Sequence, residues 1–364
     1  EWMSLVESGS GERGIFNREA SKTQAAKNGR RDPDYEFGTN PCSEIILRPY
    51  QFCNLTECVV RATDTLETLE KKVRLATILG TIQSSYTKFP YLRKVWQNNT
   101  EEERLLGVSL TGIMDNPLMT TSNKGLEKTL THLKQIAVDT NADWSKRLNI
   151  PVSTAITCVK PSGTVSLLAG ATPGIHFPES RYYIRRMRLG KDSNLVAPLE
   201  KAGYKIEPAF GSEETTMVVE IPVDLGEGVR TLDDVSMWEQ LSMAALAQRY
   251  WADNQVSCTV TFNPETEGSQ IANALDIYQY QLKGISFLPK LDFGAYPQMP
   301  YESIDSETYH NLKSGLGKLS FGRIKGEEVV VERFCDNDVC DLDFVTTDSE
   351  SQVVEAVITE ATAA

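Results

Sequence analysis

Two thiols and a carboxylate that lie near each other in the sequence are the first candidates for chemistry. The run from Asn40 to Glu44 reads Asn-Pro-Cys-Ser-Glu, and Cys53 follows soon after. On an extended segment, residues two apart point to the same side, so Cys42 and Glu44 could face one substrate together. Such a pair suits the abstraction of a hydrogen atom or a proton from a polyol. A turn could bring Cys53 back as a second thiol that serves as reductant.

A second pair of cysteines lies near the C-terminus in an acidic stretch. Cys335 and Cys340 are close in the sequence, so they could form a short-loop disulfide and exchange it with another disulfide. The alternative is half of a zinc site, but structural zinc takes four ligands, and no histidine or further cysteine pair lies near. We therefore expect a mobile tail over residues 321–364 that carries a redox-active cysteine pair, and no metal site.

The other cysteines have simpler interpretations. Cys158 and Cys258 lie inside apolar runs and Cys58 precedes two valines, so all three are predicted to pack in the core. A cysteine near a glutamate is most often a packed residue next to a surface charge. The spacing of Cys42 and Glu44 alone therefore does not indicate a function. The seven cysteines, in a chain without a secretion signal, indicate free thiols in a reducing, cytoplasmic compartment.

The composition limits the possible partners. The chain has 364 residues, 40% of them hydrophobic, and a formal net charge of -13, which allows one large domain or two ordinary ones. An acidic chain is poorly suited to displacing the counterions of a phosphate backbone, so we expect no nucleic-acid partner. No apolar run reaches the roughly 20 residues that span a bilayer, so we expect no membrane association.

The chain begins at Glu1 without an initiator Met, and we interpret it as part of a longer protein.

The hydrophobic pattern alternates between helices and strands. Apolar residues recur every three or four positions in segments that predict helices, one of which opens with a capping box of Ser236 and Glu239. The predicted helices are Leu66–Leu79, Leu126–Leu148, Ser236–Tyr250 and Ile271–Leu282. Short apolar, β-branched runs predict strands at Ala155–Val159, Met217–Val223, Val256–Phe262 and Ile285–Leu288. Strands that alternate with helices predict an α/β fold.

Taken together, these motifs resemble the adenosylcobalamin-dependent (class II) ribonucleotide reductases, and most closely the ribonucleoside-triphosphate type. The Asn-Pro-Cys-x-Glu run is similar to the active-site loop of that family, and further stretches agree in the same order along the chain. These stretches are Glu102–Asp115, Pro161–Ser166, Gly174–His176, Tyr183–Arg186 and Asp253–Ser257. The resemblance implies part of a ten-stranded α/β barrel over residues 1–320, with a central finger loop at about residues 40–46.

The resemblance implies a role for each residue of the finger loop. Cys42 would hold a thiyl radical formed when the cobalt–carbon bond of adenosylcobalamin breaks, and it would take the 3'-hydrogen of a ribonucleotide. Glu44 would act as general base on the 3'-hydroxyl, while Asn40 would hydrogen-bond the sugar hydroxyls. Loss of the 2'-hydroxyl as water would lead to a 2'-deoxyribonucleotide.

Three further cysteines would deliver the reducing equivalents. Cys53 would be one of two thiols that end as a disulfide. Cys335 and Cys340 would re-reduce this disulfide and would themselves be renewed by a thioredoxin-like protein.

The Pro-Ser-Gly-Thr stretch follows a predicted strand and is interpreted as a phosphate site. The backbone N–H groups of this turn, with Ser162 and Thr164, could cradle the substrate phosphates at the start of a helix. On its own, the run from Pro161 through Gly163 would be an ordinary turn. His176, between an isoleucine and a phenylalanine, is either a satisfied core residue or a residue near the substrate.

Two departures from the family pattern bear on the prediction. Ser43 stands where the family usually has glycine, and glycine reaches backbone angles that other residues avoid. The thiol that partners Cys53 lies in an N-terminal region that this chain does not contain. We therefore expect a fragment that needs an N-terminal partner segment for turnover.

Two other functions stay open on the sequence. One is an inactive C-terminal fragment that acts only after assembly or splicing with its other half. The other is a cysteine hydrolase, in which Cys42 would need a histidine partner, and the candidates are His132, His176 and His310. The reductase branches that use a metal subunit or a glycyl radical are disfavoured, because their C-terminal tyrosine pair and Arg-Val-x-Gly-Tyr-like segment are missing.

Overall fold

The computed structural model describes residues 14–120, 124–290 and 297–320. Contacts between residues divide the described part of the chain into two compact units, one formed by residues 14–186 with residues from 221 to 314, and the other by residues 187–220 with 315–320. The predicted tail over residues 321–364 lies outside the described residues. The boundary at residue 320 therefore stays a prediction.

A parallel sheet forms the centre of the first unit. Its strands are β4 (Asn54–Val59), β5 (Leu106–Thr111) and β6 (Thr157–Cys158), in the order β4-β5-β6. All six residues of β5 are buried, as expected for a parallel strand that is covered on both faces. The sequence pattern predicted only β6 among these strands, and predicted it longer than it is.

The main helices of this unit are α2 (Leu66–Gln83), α3 (Lys94–Glu103), α4 (Lys124–Arg147) and α7 (Met237–Tyr250). Helix α2 packs against β4 and β5, and α4 packs against both α2 and α7. Leu69 of α2, Leu133 of α4 and Val108 of β5 are buried in the same hydrophobic cluster. The helices predicted from Leu66, Leu126 and Ser236 are confirmed, and Ser236 caps α7 by accepting a hydrogen bond from the Glu239 backbone N–H.

A second group of strands continues the sheet. β10 (Thr259–Phe262) and β11 (Gly284–Pro289) are parallel, and a parallel bridge between Val159 and Val256 links the end of β6 to the stretch before β10. The predicted helix after Ile271 is confirmed as α8 (Ile271–Tyr278), although it ends before Leu282. The predicted α/β class is thus confirmed, because parallel strands are connected through helices.

The N-terminal part of the described chain adds a strand to this second group of strands. β1 (Gly14–Phe16) pairs antiparallel with β11, and α1 (Arg18–Asn28) follows, capped by the Asn17 side chain and ended by Gly29 at φ 68. A short antiparallel hairpin comes next, with strands β2 (Gly38–Thr39) and β3 (Ile46–Leu47). The loop of this hairpin contains Cys42.

The remaining elements are short. The first unit contains α5 (Val165–Ala169), α9 (Ser306–Ser314) and the antiparallel pairing of β12 (Tyr301–Ser303) with residues 183–185 of β7 (Tyr182–Gly190). In the second unit, α6 (Val196–Lys201) precedes β8 (Ile206–Pro208), which pairs antiparallel with residues 217–219 of β9 (Thr216–Asp224). Of the helices in the described part of the chain, none combines the length and apolar character needed to cross a membrane.

Candidate active site

The finger loop is a tight turn at the tip of the β2–β3 hairpin. The Ser43 backbone N–H donates to the Asn40 carbonyl at 2.9 Å, and Ser43 has a φ of 61° in the left-handed region. Cys42 is exposed, whereas Glu44 is buried. The expectation of an extended segment with Cys42 and Glu44 on one side is therefore wrong, because the turn breaks the two-residue alternation between them.

The side chain of Asn40 closes this loop from within. Its amide nitrogen donates to Glu44 Oε2 at 2.7 Å, and its amide oxygen accepts from the Ile45 backbone N–H at 3.0 Å. The buried Glu44 carboxylate is thus held by a neutral amide, and the ion pairs of the described residues do not include it. A carboxylate in this setting keeps lone pairs with which it can accept a proton.

The Cys53 thiol interacts electrostatically with the Glu44 carboxylate. The thiol is free and only partly accessible. Burial raises the pKa of the Cys53 thiol, the Glu44 carboxylate raises this pKa further, and the Arg31 guanidinium opposes the rise. Cys53 is therefore protonated at neutral pH, which suits a thiol that delivers hydrogen rather than a thiolate nucleophile.

The other described cysteines lie in the core. Cys58, Cys158 and Cys258 are free and buried, which confirms the packing expected of them. Burial raises the pKa of Cys58 and of Cys258 to about 12. Cys42 is therefore the exposed thiol among the five described cysteines.

The segment Asp253–Ser257, which we call the strap, holds the finger loop from behind. The Ser257 hydroxyl donates to the Cys42 carbonyl at 2.6 Å, and the Gln255 backbone N–H donates to the Glu44 carbonyl at 3.0 Å. Asn254 accepts from the Ile46 backbone N–H at 3.4 Å and donates to the Leu106 carbonyl of β5 at 2.8 Å. The strap was noticed in the sequence only as a family motif, because no local pattern reveals partners so distant along the chain.

A buried carboxylate anchors the start of the strap. Asp253 accepts hydrogen bonds from Arg30 and from the Ile156 backbone N–H, and Lys134 Nζ lies 2.8 Å from its Oδ1. Burial would raise the pKa of Asp253, but the charges and hydrogen bonds of Lys134 and Arg30 outweigh it and lower this pKa. The carboxylate is thus ionised, and it ties the strap to α4 through Lys134, to the residues just after α1 through Arg30 and to the residue just before β6 through the Ile156 N–H.

A polar cluster lies at the end of β4 and β6. Lys160 Nζ is 3.3 Å from Glu57 Oε2, and the Ser162 hydroxyl also donates to Glu57. The Lys160 backbone N–H donates to Ser109 Oγ at 2.9 Å. Sequence reasoning missed Glu57, although alternation along β4 gives it the same face as Cys53 and Leu55.

The predicted phosphate turn, residues 161–164, is exposed to solvent over its second half. Gly163 and Thr164 are exposed, and a Cβ added to Gly163 would meet nothing within 4 Å. Helix α5 begins directly after the turn. Ser162, at φ 54, has its hydroxyl engaged by Glu57. The structure thus leaves the later half of the turn accessible, and the phosphate role stays a prediction.

His176 has the hydrogen bonds of a satisfied core histidine. Its Nε2 accepts from the Thr259 backbone N–H at 3.1 Å, so Nδ1 carries the proton and donates to the Pro173 carbonyl at 3.0 Å. Burial lowers the pKa of His176, which keeps the ring neutral. Both nitrogens are occupied, so the ring is not free to take a proton from Cys42.

The other two histidines also have partners of their own. His132 Nε2 lies 2.7 Å from Glu70 Oε1, and His310 Nδ1 lies 2.6 Å from the Ser306 carbonyl oxygen. The hydrolase alternative therefore lacks the Cys–His contact that it needs. Within the described ranges, no three His, Cys, Asp or Glu side chains are grouped as metal ligands.

Sequence comparison relates the chain to one group of enzymes, although no protein-family model matches it. It is 42% identical over 320 residues to a probable adenosylcobalamin-dependent ribonucleoside-triphosphate reductase of Dictyostelium discoideum, covering 86% of this chain and 41% of that protein. The enzyme of the same name from Euglena gracilis is 42% identical over 337 residues, which are 88% of this chain and 45% of that protein. The chain is a homologue of the adenosylcobalamin-dependent ribonucleotide reductases.

A solved structure agrees with this relationship. The crystal structure of a B12-dependent (class II) ribonucleotide reductase superposes with a TM-score of 0.69 at 32% identity, covering 78% of this reductase homologue and 43% of that chain. The class Id α subunit of Actinobacillus ureae, at 15% identity and a TM-score of 0.56, shares the fold alone. The homologue spans less than half the length of these first relatives. The resemblance inferred from the motifs is confirmed.

One predicted part of the candidate site lies beyond residue 320. Cys335 and Cys340 lie outside the described residues, so their redox role stays a prediction. The structure brings Asn40, Glu44 and Cys53 together around the finger loop, and the phosphate turn follows β6 of the same sheet.

Proposed function

We propose that this chain carries the radical site of an enzyme that reduces ribonucleoside triphosphates to 2'-deoxyribonucleotides. One observation carries the proposal: an exposed thiol, Cys42, stands on a turn whose buried Glu44 carboxylate is fixed by Asn40 at 2.7 Å. The names of the relatives, which are adenosylcobalamin-dependent ribonucleoside-triphosphate reductases, support the same reaction and substrate class.

Each residue of the loop has a part in the proposed reaction. A thiyl radical on Cys42 removes the 3'-hydrogen of the ribose, while Glu44 accepts the proton of the 3'-hydroxyl. The 2'-hydroxyl leaves as water, two thiols supply two electrons and become a disulfide, and Cys42 returns the 3'-hydrogen. Asn40 holds Glu44 and the loop backbone, and we assign it the sugar hydroxyls as hydrogen-bond partners.

Cys53 is the proposed source of one reducing equivalent. Its raised pKa keeps it protonated at neutral pH, as a hydrogen-donating thiol requires. We assign the second thiol to an N-terminal segment that completes the enzyme. Cys335 and Cys340 are the proposed shuttle that reduces the disulfide again, with a thioredoxin-like protein as partner. All five described cysteines are free, which supports a reducing, cytoplasmic compartment.

The cofactor of the proposed reaction is adenosylcobalamin. When bound, it supplies the radical that oxidises a thiol. The exposed Cys42 fits this requirement, because a thiol must be accessible to react with a group outside the fold. Among the described residues we identify the thiol that the cofactor addresses and no set that holds the corrin ring.

The substrate phosphates are assigned to the turn at residues 161–164. Gly163 and Thr164 are exposed beside the start of α5, and free backbone N–H groups at such a position attract anions. Lys160 lies next to the turn and is paired with Glu57. The assignment gives Pro161 and Ser162 the task of shaping the turn while the later residues contact phosphate.

The test is product formation by the chain combined with the N-terminal part of a relative. The mixture receives adenosylcobalamin, a ribonucleoside triphosphate and a small dithiol, and 2'-deoxyribonucleotide is measured for the parent and for Cys42→Ser. We expect product from the parent and none from the variant. The matched control is the double variant Cys335→Ser, Cys340→Ser, which should keep turnover with the small dithiol and lose it with a thioredoxin-like reductant.

Two outcomes would contradict the proposal. If the parent binds nucleotide and cofactor but forms no product with tri- or diphosphates, the reaction is wrong. If Cys42→Ser retains the parent's activity, the radical site is elsewhere. Activity of the chain alone, without the N-terminal part, would show that the second thiol does not lie in that part.

A further inference from the structure

The hydroxyl of Ser257 makes one of the shortest side-chain contacts to the finger loop. It donates to the carbonyl of Cys42 at 2.6 Å. This carbonyl belongs to the residue whose thiol must meet the substrate, so the bond fixes the backbone from which the thiol projects.

Ser257 is well placed for this task because its own backbone is fixed. The Ser257 backbone N–H donates to the Val159 carbonyl at 2.9 Å, and the Val159 N–H donates to the Gln255 carbonyl at 3.1 Å. The strap is thus bonded to the end of β6 on one side and to the finger loop on the other. Movement of the loop relative to the sheet requires these bonds to break.

The finger loop has a reason to need such support. Ser43 has a φ of 61°, a conformation that an L side chain disfavours and that glycine adopts freely. A glycine at this position would relieve that strain. With serine there, hydrogen bonds from the Asn40 side chain within the loop and from the Ser257 hydroxyl outside it hold the turn in shape.

We propose that Ser257 is a positioning residue for Cys42, which holds the radical-bearing residue at a fixed place above the sheet. The inference rests on the proposed role of Cys42. Asn254 assists from the same strap through the Ile46 backbone N–H. Ser257 acts through the Cys42 backbone and is assigned no contact with the reacting atoms.

Hydrogen exchange of the intact chain tests the positioning without any activity. Exchange is followed by mass spectrometry in peptides that contain residues 40–46, for the parent, Ser257→Ala and Ser257→Thr. Loss of one hydrogen bond should speed exchange in these peptides roughly two- to tenfold in Ser257→Ala. Ser257→Thr keeps a hydroxyl and should restore the parent's rate.

A matched control removes a serine hydroxyl elsewhere. Ser145 in α4 is buried, and its hydroxyl has no hydrogen-bond partner among the described residues. Ser145→Ala should leave exchange in residues 40–46 unchanged. Equal acceleration in all peptides of Ser257→Ala, or no acceleration in residues 40–46, would overturn the positioning role.

Activity separates the two proposals. In the enzyme completed with its N-terminal part, Ser257→Ala should lower kcat with little change in KM, because the phosphate turn is untouched, and Ser257→Thr should recover kcat. If exchange behaves as expected but the parent forms no product, the proposed function fails and the positioning of Cys42 stands. If product forms normally in Ser257→Ala although exchange is faster, the loop is held but the hold does not serve the reaction, and the inference fails.

Discussion

The finger loop and the phosphate turn are both short loops beside the same sheet, yet they are held very differently. The finger loop is bonded internally by Asn40 and externally by the strap, and its Glu44 is buried. In the phosphate turn, Ser162 is engaged by Glu57, while Gly163 and Thr164 are exposed.

The difference follows from what each loop is proposed to do. Hydrogen-atom transfer requires the reacting atoms to be placed within a few tenths of an ångström, so the loop that performs it must be rigid before substrate arrives. A loop that binds an anion needs unused donors that face solvent. The finger loop is thus held by hydrogen bonds within the protein, whereas the phosphate turn keeps exposed groups for the proposed contact with a ligand.

The largest effect on stability is expected when the carboxylate that anchors the strap is neutralised. Asp253→Asn would leave Arg30 and Lys134 facing a neutral amide in a buried place, which should lower the free energy of unfolding by roughly 3–5 kcal/mol. Urea unfolding followed by circular dichroism measures the change. Asp233→Asn is the matched control, because the Asp233 side chain is 87% exposed beside Lys290 and should lose less than about 1 kcal/mol. Similar losses in both variants would mean that Asp253 anchors nothing.

The same substitution in both regions gives a sharper test. A Cβ on Gly107 of β5 would lie 2.7 Å from Ile45 Cδ1 and 2.5 Å from Leu55 Cδ2, so Gly107→Ala should destabilise the chain by roughly 1–3 kcal/mol and displace the finger loop. Gly163→Ala meets nothing within 4 Å and should change stability by less than about 0.5 kcal/mol. Thermal unfolding measures both. A larger effect at Gly163 would reverse the comparison.

The region beneath the strap should also respond to pH. Burial lowers the pKa of Lys283 to about 7, against the Asp253 charge and with help from Arg31 and Lys134. In the unfolded chain this lysine titrates near 10.4, so between these values the unfolded state binds more protons. The contribution of Lys283 to stability therefore rises with pH over this window, by at most about 1.4 kcal/mol per pH unit, and is lowest below it.

The measurement is urea unfolding of the parent and Lys283→Met at several pH values from 7 to about 9. The parent should gain stability relative to the variant as pH rises. Lys71→Met is the control, because Lys71 is 65% exposed on α2, and its pH dependence should follow the parent. Parallel curves for the parent and Lys283→Met would show that Lys283 is not titrating in this range.

The smallest effect is expected at the phosphate turn. Glu57→Gln keeps an oxygen for the Ser162 hydroxyl but removes a negative charge and releases Lys160 from its ion pair. Binding of a ribonucleoside triphosphate, measured by calorimetry, should tighten about fivefold, or by about 1 kcal/mol. Glu67→Gln, at a side chain that is 77% exposed, should leave affinity unchanged. Weaker binding in Glu57→Gln would mean that its charge orders the turn instead of opposing phosphate.

The elements that the sequence predicted were those with a regular apolar period. The helix at Leu66 was found because its buried residues recur along one face, whereas α1 has few apolar residues and depends on tertiary contacts such as Gln24 to the Gln281 carbonyl. β5 was missed because a short strand that is buried on both faces shows no alternation. Local pattern thus located amphipathic elements and little else.

The sequence singled out residues of the candidate site without their geometry. The motif identified Cys42 and Glu44, but it could not reveal that Ser43 turns the backbone between them. Nor could it reveal the part of Ser257, since contacts between distant segments leave no trace in a single sequence. His176 was left undecided because its burial and backbone partners depend on the fold.

The bond between Cys42 and Ser257 also sets an order of events during folding. It joins residues 215 positions apart, and closing so long a loop has an entropic cost that local hairpins do not bear. During synthesis the hairpin around Cys42 leaves the ribosome long before its strap does. The nascent chain therefore carries the thiol without the contacts of the strap while the intervening residues are made, and the loop acquires these contacts only when the strap has been added.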